Sequence, residues 1–233
     1  ISSQARFAGY VAPDQEAACR QILEATAEGR SRLKQLENRL FVAAVPFMEN
    51  LLTPGLMLHY PVRKRFFEEA CIRALDEGYT QVVNIGAGFD TLLWRLHSRY
   101  PDVKFVEIDH PASSEVKQGA VSRKETNLSL LPVDLSKTKM EDALEGYDGF
   151  DPSRRTFYIC EGVLMYLEPD AVSGVFESLR AITKAGVRFA FSAVSPMGSP
   201  TNNTRALLRL YLKIKNEPLA WSLELAELDA FVS

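Results

Sequence analysis

Residues 81–111 read QVVNIGAGFD, TLLWRLHSRY, PDVKFVEIDHP, and this stretch decides the fold. Val82, Val83 and Ile85 form a short apolar run that meets a Gly-Ala-Gly turn. Leu92, Leu93, Leu96 and Tyr100 follow at helix-face spacing. A second apolar run, Val103 to Ile108, carries Glu107 and stops at Asp109. Strand, glycine turn, helix, strand and acid is the plan of a nucleotide-binding βαβ unit. Gly86 and Gly88 let the backbone come close to a ligand at the mouth of the first strand. The next helix turns its positive N-terminal end to the same place. Glu107 and Asp109 lie 21 and 23 residues beyond Gly86, where a carboxylate can accept both hydroxyls of a ribose.

The turn also narrows the ligand. A dinucleotide fingerprint needs G-x-G-x-x-G, and Thr91 stands at its third glycine. No G-x-x-x-x-G-K-[ST] occurs, so the phosphate cradle of an ATPase is missing. A ligand with ribose and adenine but no phosphate fits better, and S-adenosylmethionine (SAM) is the common one. An NAD(P)-linked oxidoreductase is the second reading, and a non-catalytic nucleotide-binding module the third.

Working outward, a helix is expected from Ser113 to Glu125 and a third strand from Leu128 to Val133, followed at once by Asp134 and Leu135. A carboxylate there can accept the exocyclic amine of adenine while the leucine covers the ring, or it can cap the helix that Lys139 to Leu144 suggests. Thr156 to Cys160 reads as a fourth strand ending at Glu161, and Val187 to Val194 as a fifth; a helix from Pro169 to about Lys184 separates them. The expected architecture is α/β: a Rossmann-like, mostly parallel sheet in the order 3-2-1-4-5, helices on both faces. Gly86, Asp109, Asp134 and Glu161 then share one crevice.

Four runs in this order, NIGAGFDTLLWRL, FVEIDHP, PVDLS and ICEGVLMYLEPD, resemble the motifs of the leucine carboxyl methyltransferase family. That family is a branch of the class I SAM-dependent methyltransferases and includes bacterial polyketide carboxyl O-methyltransferases. The resemblance runs from Arg63 to Asp170; the N-terminal third and the C-terminal end match poorly. It implies that Arg63, in preference to Arg65, binds the methionine carboxylate of SAM, followed by Phe67 and Glu68 in the family's pattern. It implies that Asp134 and Leu135 hold adenosine, and that Tyr166 stands beside the methyl-transfer site. Gly86, Gly88, Glu107, Asp109 and Glu161 complete the expected cofactor set. A carboxylate acceptor is ionised at neutral pH and needs no general base, so a small carboxylic acid is the expected substrate. Of the three histidines, only His59 is expected near a substrate; His97 reads as a surface residue and His110 as a cofactor-rim residue. Asp90 reads as a helix N-cap.

Length and composition suit one globular unit of 233 residues with a sizeable core. Residues 1–61 read as an N-terminal helical cap on the substrate side, and 62–233 as the SAM-binding domain. LLTPGLMLHYPVRKR, with Pro54, Gly55 and Pro61, reads as a loop, and a helix is expected from Val62 to Gly78. Gly29 is a candidate break between two N-terminal helices. The net charge of −3 offers no basic excess to track a phosphate backbone, so nucleic acid is not expected as a partner. No apolar run is long enough to span a bilayer, and no metal-ligand spacing occurs. Cys19, Cys71 and Cys160 are widely spaced, as free thiols in a reducing cytoplasm would be. Thr201 to Lys215 and Leu223 to Val232 read as helices, and nothing after Val194 reads as a strand. This fold usually closes with two further strands, so either the sequence stops short of them or the protein lacks that edge, in which case a bare fifth-strand edge would offer a route to a homo-oligomer.

Overall fold

The computed structural model describes residues 9–121, 127–214 and 219–232. At its centre are β1 (Gln81–Ile85), β2 (Lys104–Asp109), β3 (Leu128–Pro132), β4 (Thr156–Cys160) and β5 (Val187–Phe191). All four pairings are parallel, and the order is β3-β2-β1-β4-β5, as the sequence reading expects. β1 and β4 are buried along their whole length because helices cover both faces. Each fully buried apolar side chain contributes roughly 1.5–3 kcal/mol relative to exposure, so five-residue apolar runs suffice to fix the central strands.

Four helices precede the sheet: α1 (Gln15–Glu24), α2 (Ala27–Glu37), α3 (Arg39–Leu52) and α4 (Leu56–Asp76). The strands are then linked by α5 (Leu92–Leu96) with a 3₁₀ turn at His97–Arg99, α6 (Pro111–Ala120), α7 (Met140–Leu144) and α8 (Pro169–Ile182). α9 (Ala206–Ile214) and α10 (Leu228–Val232) follow β5. Alternation along the strands divides the core in two. Val82, Phe105, Phe157 and Ile159 pack with Phe67, Cys71 and Ala74 of α4 and Leu92, Leu93 and Leu96 of α5. Val83, Ile85, Val106, Ile108 and Tyr158 pack on the other face with Met140, Leu144, Val172, Leu179 and Trp221.

Several expectations are corrected. The segment read as a loop before residue 62 is the first part of α4, with Pro61 inside the helix. A proline there removes a hydrogen bond and costs about 3 kcal/mol in an exposed helix. Met57, Pro61, Phe67, Cys71 and Ala74 nevertheless form one buried stripe at helical spacing, and that burial offsets the loss. The proposed boundary at residue 61 thus falls within a continuous helix. Gly29 does not separate the first two helices. The break is at Ala25 and Thr26, whose hydroxyl caps α2 at the N–H of Gly29. Gly29 is needed because a Cβ would lie 2.1 Å from the carbonyl oxygen of Leu23. α3 likewise continues through Pro46. His97, expected at the surface, is buried, with Nδ1 2.6 Å from the carbonyl of Trp94. β5 ends at Phe191 rather than Val194, and α6 ends at Ala120. Residues 122–126, which include the last part of the helix expected to reach Glu125, and Lys215 lie outside the described residues.

Among the described residues no strand follows β5. No single helix there is long and apolar enough to cross a membrane; α3 and α4 meet both conditions only together, across an 89° bend.

Candidate functional site

The site is built around the turn after β1. Gly86 has φ +66° and Gly88 φ +49°, a region costly to side-chain-bearing residues. The N–H groups of Gly86 and Ala87 donate to the carbonyl of Ile108 at 2.8 and 3.2 Å, tying the turn to the end of β2. The N–H of Gly88 donates to Oδ2 of Asp109, while Oδ1 of Asp109 accepts from the N–H of His110 at 2.6 Å. A Cβ on Gly86 would lie 2.4 Å from Cγ2 of Val163, so the segment after β4 lies directly over the turn. A Cβ on Gly88 would meet only Asp109, at 3.8 Å, so this glycine leaves a cradle beside the Asp109 carboxylate.

On the other side of the turn is a four-member charge cluster. Glu161, directly after β4, receives Nε of Arg63 on Oε1 at 2.8 Å and Nζ of Lys64 on Oε2 at 3.1 Å. Lys64 also donates to Oδ2 of Asp90 at 2.7 Å, and Oδ1 of Asp90 accepts from the N–H of Leu92 at 2.7 Å. The N-cap position of α5 is Thr91 rather than Asp90, which stands one residue earlier, holds the first N–H of the helix and holds a lysine as well. Burial pushes the Asp90 carboxyl up, but Lys64 outweighs it and holds the group below its ordinary value. Burial pulls the Lys64 ammonium down, and the two carboxylates more than reverse that. Lys64 and Asp90 thus keep each other charged despite their burial. The Arg63 guanidinium lies over the Tyr60 ring, 5.0 Å from its centroid, with Nη1 3.4 Å from Nε2 of His59. Burial, then the charge of Arg63, lowers the His59 pKa, so its imidazole is neutral at neutral pH. Arg65 instead points outward and pairs with Glu69 at 2.7 Å. Glu68 takes part in no pair with Arg63; it binds Arg95 at 2.5 Å.

The structure does not bring Glu107 to the surface of the crevice. Glu107 is 2% exposed, on the face opposite to Ile108, in contact with the ammonium of Lys117. That ammonium also donates to the carbonyl of Asp90. Burial raises the Glu107 carboxyl to about 7 even though Lys117 opposes the rise. Asn84, its neighbour across β1 and β2, is buried with neither side-chain polar atom hydrogen-bonded.

Asp134 follows β3 and accepts from the Oγ of Ser136 at 2.6 Å and from Lys137 at 2.7 Å, which with the N–H of Ser136 hold it well below the usual carboxylate range. His110 lies 3.9 Å from it. Leu135 is partly exposed beside it. Tyr166 ends a 3₁₀ turn over the β4 end of the sheet and is 43% exposed. Cys71 and Cys160 are buried, which pushes both thiols up to about 12 and makes them poor nucleophiles.

Sequence reading missed Lys64 and Lys117 as parts of this site. The run Arg63-Lys64-Arg65 has the pattern of a solvated helix end, and Lys117 that of a surface helix residue. Neither carries a local signal of burial.

The residues present fit a ligand with a ribose, an adenine and an amino-acid end. Carboxylates stand at the end of β2 and after β3 and β4, with a cradle at Gly88 and a guanidinium at the opposite side. This sheet order around a Gly-x-Gly turn is that of a Rossmann-like nucleotide-binding fold. A candidate methyltransferase from Thermobifida fusca superposes with a TM-score of 0.57 at 18% identity, over 85% of this chain and 73% of the other. PigF, solved with SAH, gives 0.52 at 16% identity, over 73% and 50%. At such identities the likeness is one of fold. Residues 18–180 match the model of the leucine carboxyl methyltransferase family, and the chain belongs to that family. The match begins in α1 and so reaches into the N-terminal third, which the sequence motifs match poorly. A candidate SAM-dependent methyltransferase of Mycolicibacterium gilvum is 32% identical over 164 residues, 67% of this chain and 52% of its own. One from Mycobacterium ulcerans is 33% identical over 168 residues, 69% of this chain and 52% of its own. The chain spans about half the length of the curated relatives it matches.

Proposed function

We propose that the protein is a SAM-dependent O-methyltransferase that esterifies the carboxyl group of a small organic acid. The observation that carries this reading is the pairing of Arg63 with Glu161 beside the glycine turn that Asp109 anchors. In this reading Arg63 takes the amino-acid carboxylate of the donor, and Asp109 the ribose hydroxyls. Asp134 takes the adenine amine, Leu135 covers the ring, and Gly86 and Gly88 allow close approach. Glu161 orients Arg63, and Glu107 supports the site from beneath through Lys117. When bound, the donor supplies a methyl group already activated on a sulfonium. The chain's own task is then to orient the acceptor, hold it at near-attack distance and exclude water. Tyr166 is the residue assigned to orienting the acceptor. Residues preceding Arg63 form the acceptor-side cap.

The carboxyl acceptor is supported by the description of the family and by chemistry: a carboxylate oxygen is already ionised at neutral pH. The neutral imidazole of His59 favours one alternative, a hydroxyl acceptor deprotonated by that ring. Turnover of methyl-labelled SAM against a panel of carboxylic acids and phenols tests both. Label in alkali-labile esters supports the first reading and label in ethers the second; titration with NADH tests the oxidoreductase reading.

A further inference from the structure

Lys64 belongs to neither strand-end acids nor glycine turn, yet it touches both. Its ammonium, on α4, lies 2.7 Å from Asp90 and 3.1 Å from Glu161. Asp90 sits where the glycine turn becomes α5, and Glu161 where β4 gives way to the segment that covers Gly86. These are the two walls of the crevice. Glu161 in turn offers its second oxygen to Arg63, so one carboxylate is shared by two cations from consecutive positions of one helix. The cluster comprises two cations and two carboxylates, and the Asp90 and Glu161 side chains are 9% and 4% exposed. Buried carboxylates this close to each other separate unless a cation bridges them.

We propose that Lys64 is a positioning residue for the methyl donor: it fixes the distance between Asp90 and Glu161, and thereby the direction in which Arg63 presents its guanidinium. The inference rests on the donor-site reading above and adds a role to a residue that touches no donor atom itself. It has a selective consequence. Lys64 acts on the side where the amino-acid end of the donor is assigned, and it makes no contact with Asp109 or Asp134, assigned to the adenosine end. Its loss therefore weakens SAM and leaves adenosine nearly unaffected, whereas a purely structural lysine would weaken both with stability.

The test is calorimetric titration of the full chain with SAM and with adenosine, alongside thermal unfolding. Lys64→Met/Asp90→Asn removes one charge of each sign. It is expected to bind SAM about tenfold or more weakly and adenosine within about twofold of the parent. Lys64→Arg, which keeps the charge and the reach, is expected to bind SAM within about threefold of the parent. If the double variant does not fold, Lys64→Gln, titrated in the same way, decides. Unchanged SAM affinity, or equal losses for SAM and adenosine, overturns the inference while leaving the donor site standing. A parent that binds no SAM overturns the donor-site reading and this inference together.

Discussion

The guanidinium Nε of Arg63, within α4, lies 2.8 Å from Oε1 of Glu161, 98 residues later in the chain. The contact joins the helix before the sheet to the end of the fourth strand, and it defines one end of the crevice. Nη2 of Arg63 lies over Gly162, 3.8 Å from where a Cβ would project, an ordinary contact distance; the φ of +73° is what favours glycine there.

Arg63→Lys is expected to weaken SAM binding about tenfold, near the ~1.5 kcal/mol lower end for a hydrogen bond to a charged group. An ammonium cannot hold Glu161 and a ligand carboxylate with one planar fork. Adenosine, which lacks that carboxylate, is expected to bind parent and variant alike. Arg65→Lys changes only an exposed pair with Glu69 and is expected to be silent in both titrations. A silent Arg63→Lys beside a damaging Arg65→Lys would reverse the assignment.

Asp109 has an internal role beside the ligand role proposed for it. Its two oxygens hold the N–H groups of Gly88 and His110, so Asp109→Ala releases the turn as well as removing the proposed ribose contact. The expected loss in SAM affinity is roughly 1.5–3 kcal/mol, with the folded state retained by circular dichroism. Normal affinity in the folded variant would remove Asp109 from the site.

Gly86→Ala meets two obstacles, a φ of +66° and Val163 at 2.4 Å. The first alone costs about 1–2 kcal/mol. Reduced thermal stability and lost SAM binding are expected together. Gly174→Ala, in α8 with nothing within 4 Å of the new Cβ, is the control and should gain about 0.5–1 kcal/mol. Equal melting temperatures for the two variants would contradict the packing of the segment after β4 over the turn.

Burial holds Glu107 at about 7, against an ordinary 4.5. The folded protein thus binds this proton more tightly than the unfolded chain does. The stability so contributed is complete below the unfolded value and lost as pH rises through about 7. The parent's melting temperature should carry a component that falls between about pH 4.5 and about pH 7, absent from Glu107→Gln/Lys117→Met. Parallel pH profiles for the two proteins would refute it.

Much of the fold was legible because its signals are local. The apolar runs at 82–85, 103–108 and 156–160, the glycine turn and the acids after β2, β3 and β4 repeat the same short pattern. Parallel strands linked by helices leave few other arrangements. α4 was half legible: Pro61 reads as a breaker, and only the buried stripe from Met57 to Ala74 shows why the helix passes through it. Spacing placed Glu107 and Asp109 equally well beside a ribose. Alternation along β2 puts both on one face with Phe105; depth separates them, since Glu107 lies within the strand, buried against Lys117, while Asp109 is its last, partly exposed residue.

The sequence by itself determined the order of elements, the turn at Gly86 and Gly88 and the family motifs, because periodicity and turn chemistry act over a few residues. Tertiary structure alone decided which charges meet. Arg63, Lys64 and Arg65 are equivalent as a basic run. The way α4 lies against the sheet sends the first two to Glu161 and the third to solvent. A charge pattern in one segment records nothing of the carboxylates that another segment will bury beside it, and burial is what turns such a pair from a weak surface contact into a constraint on the site.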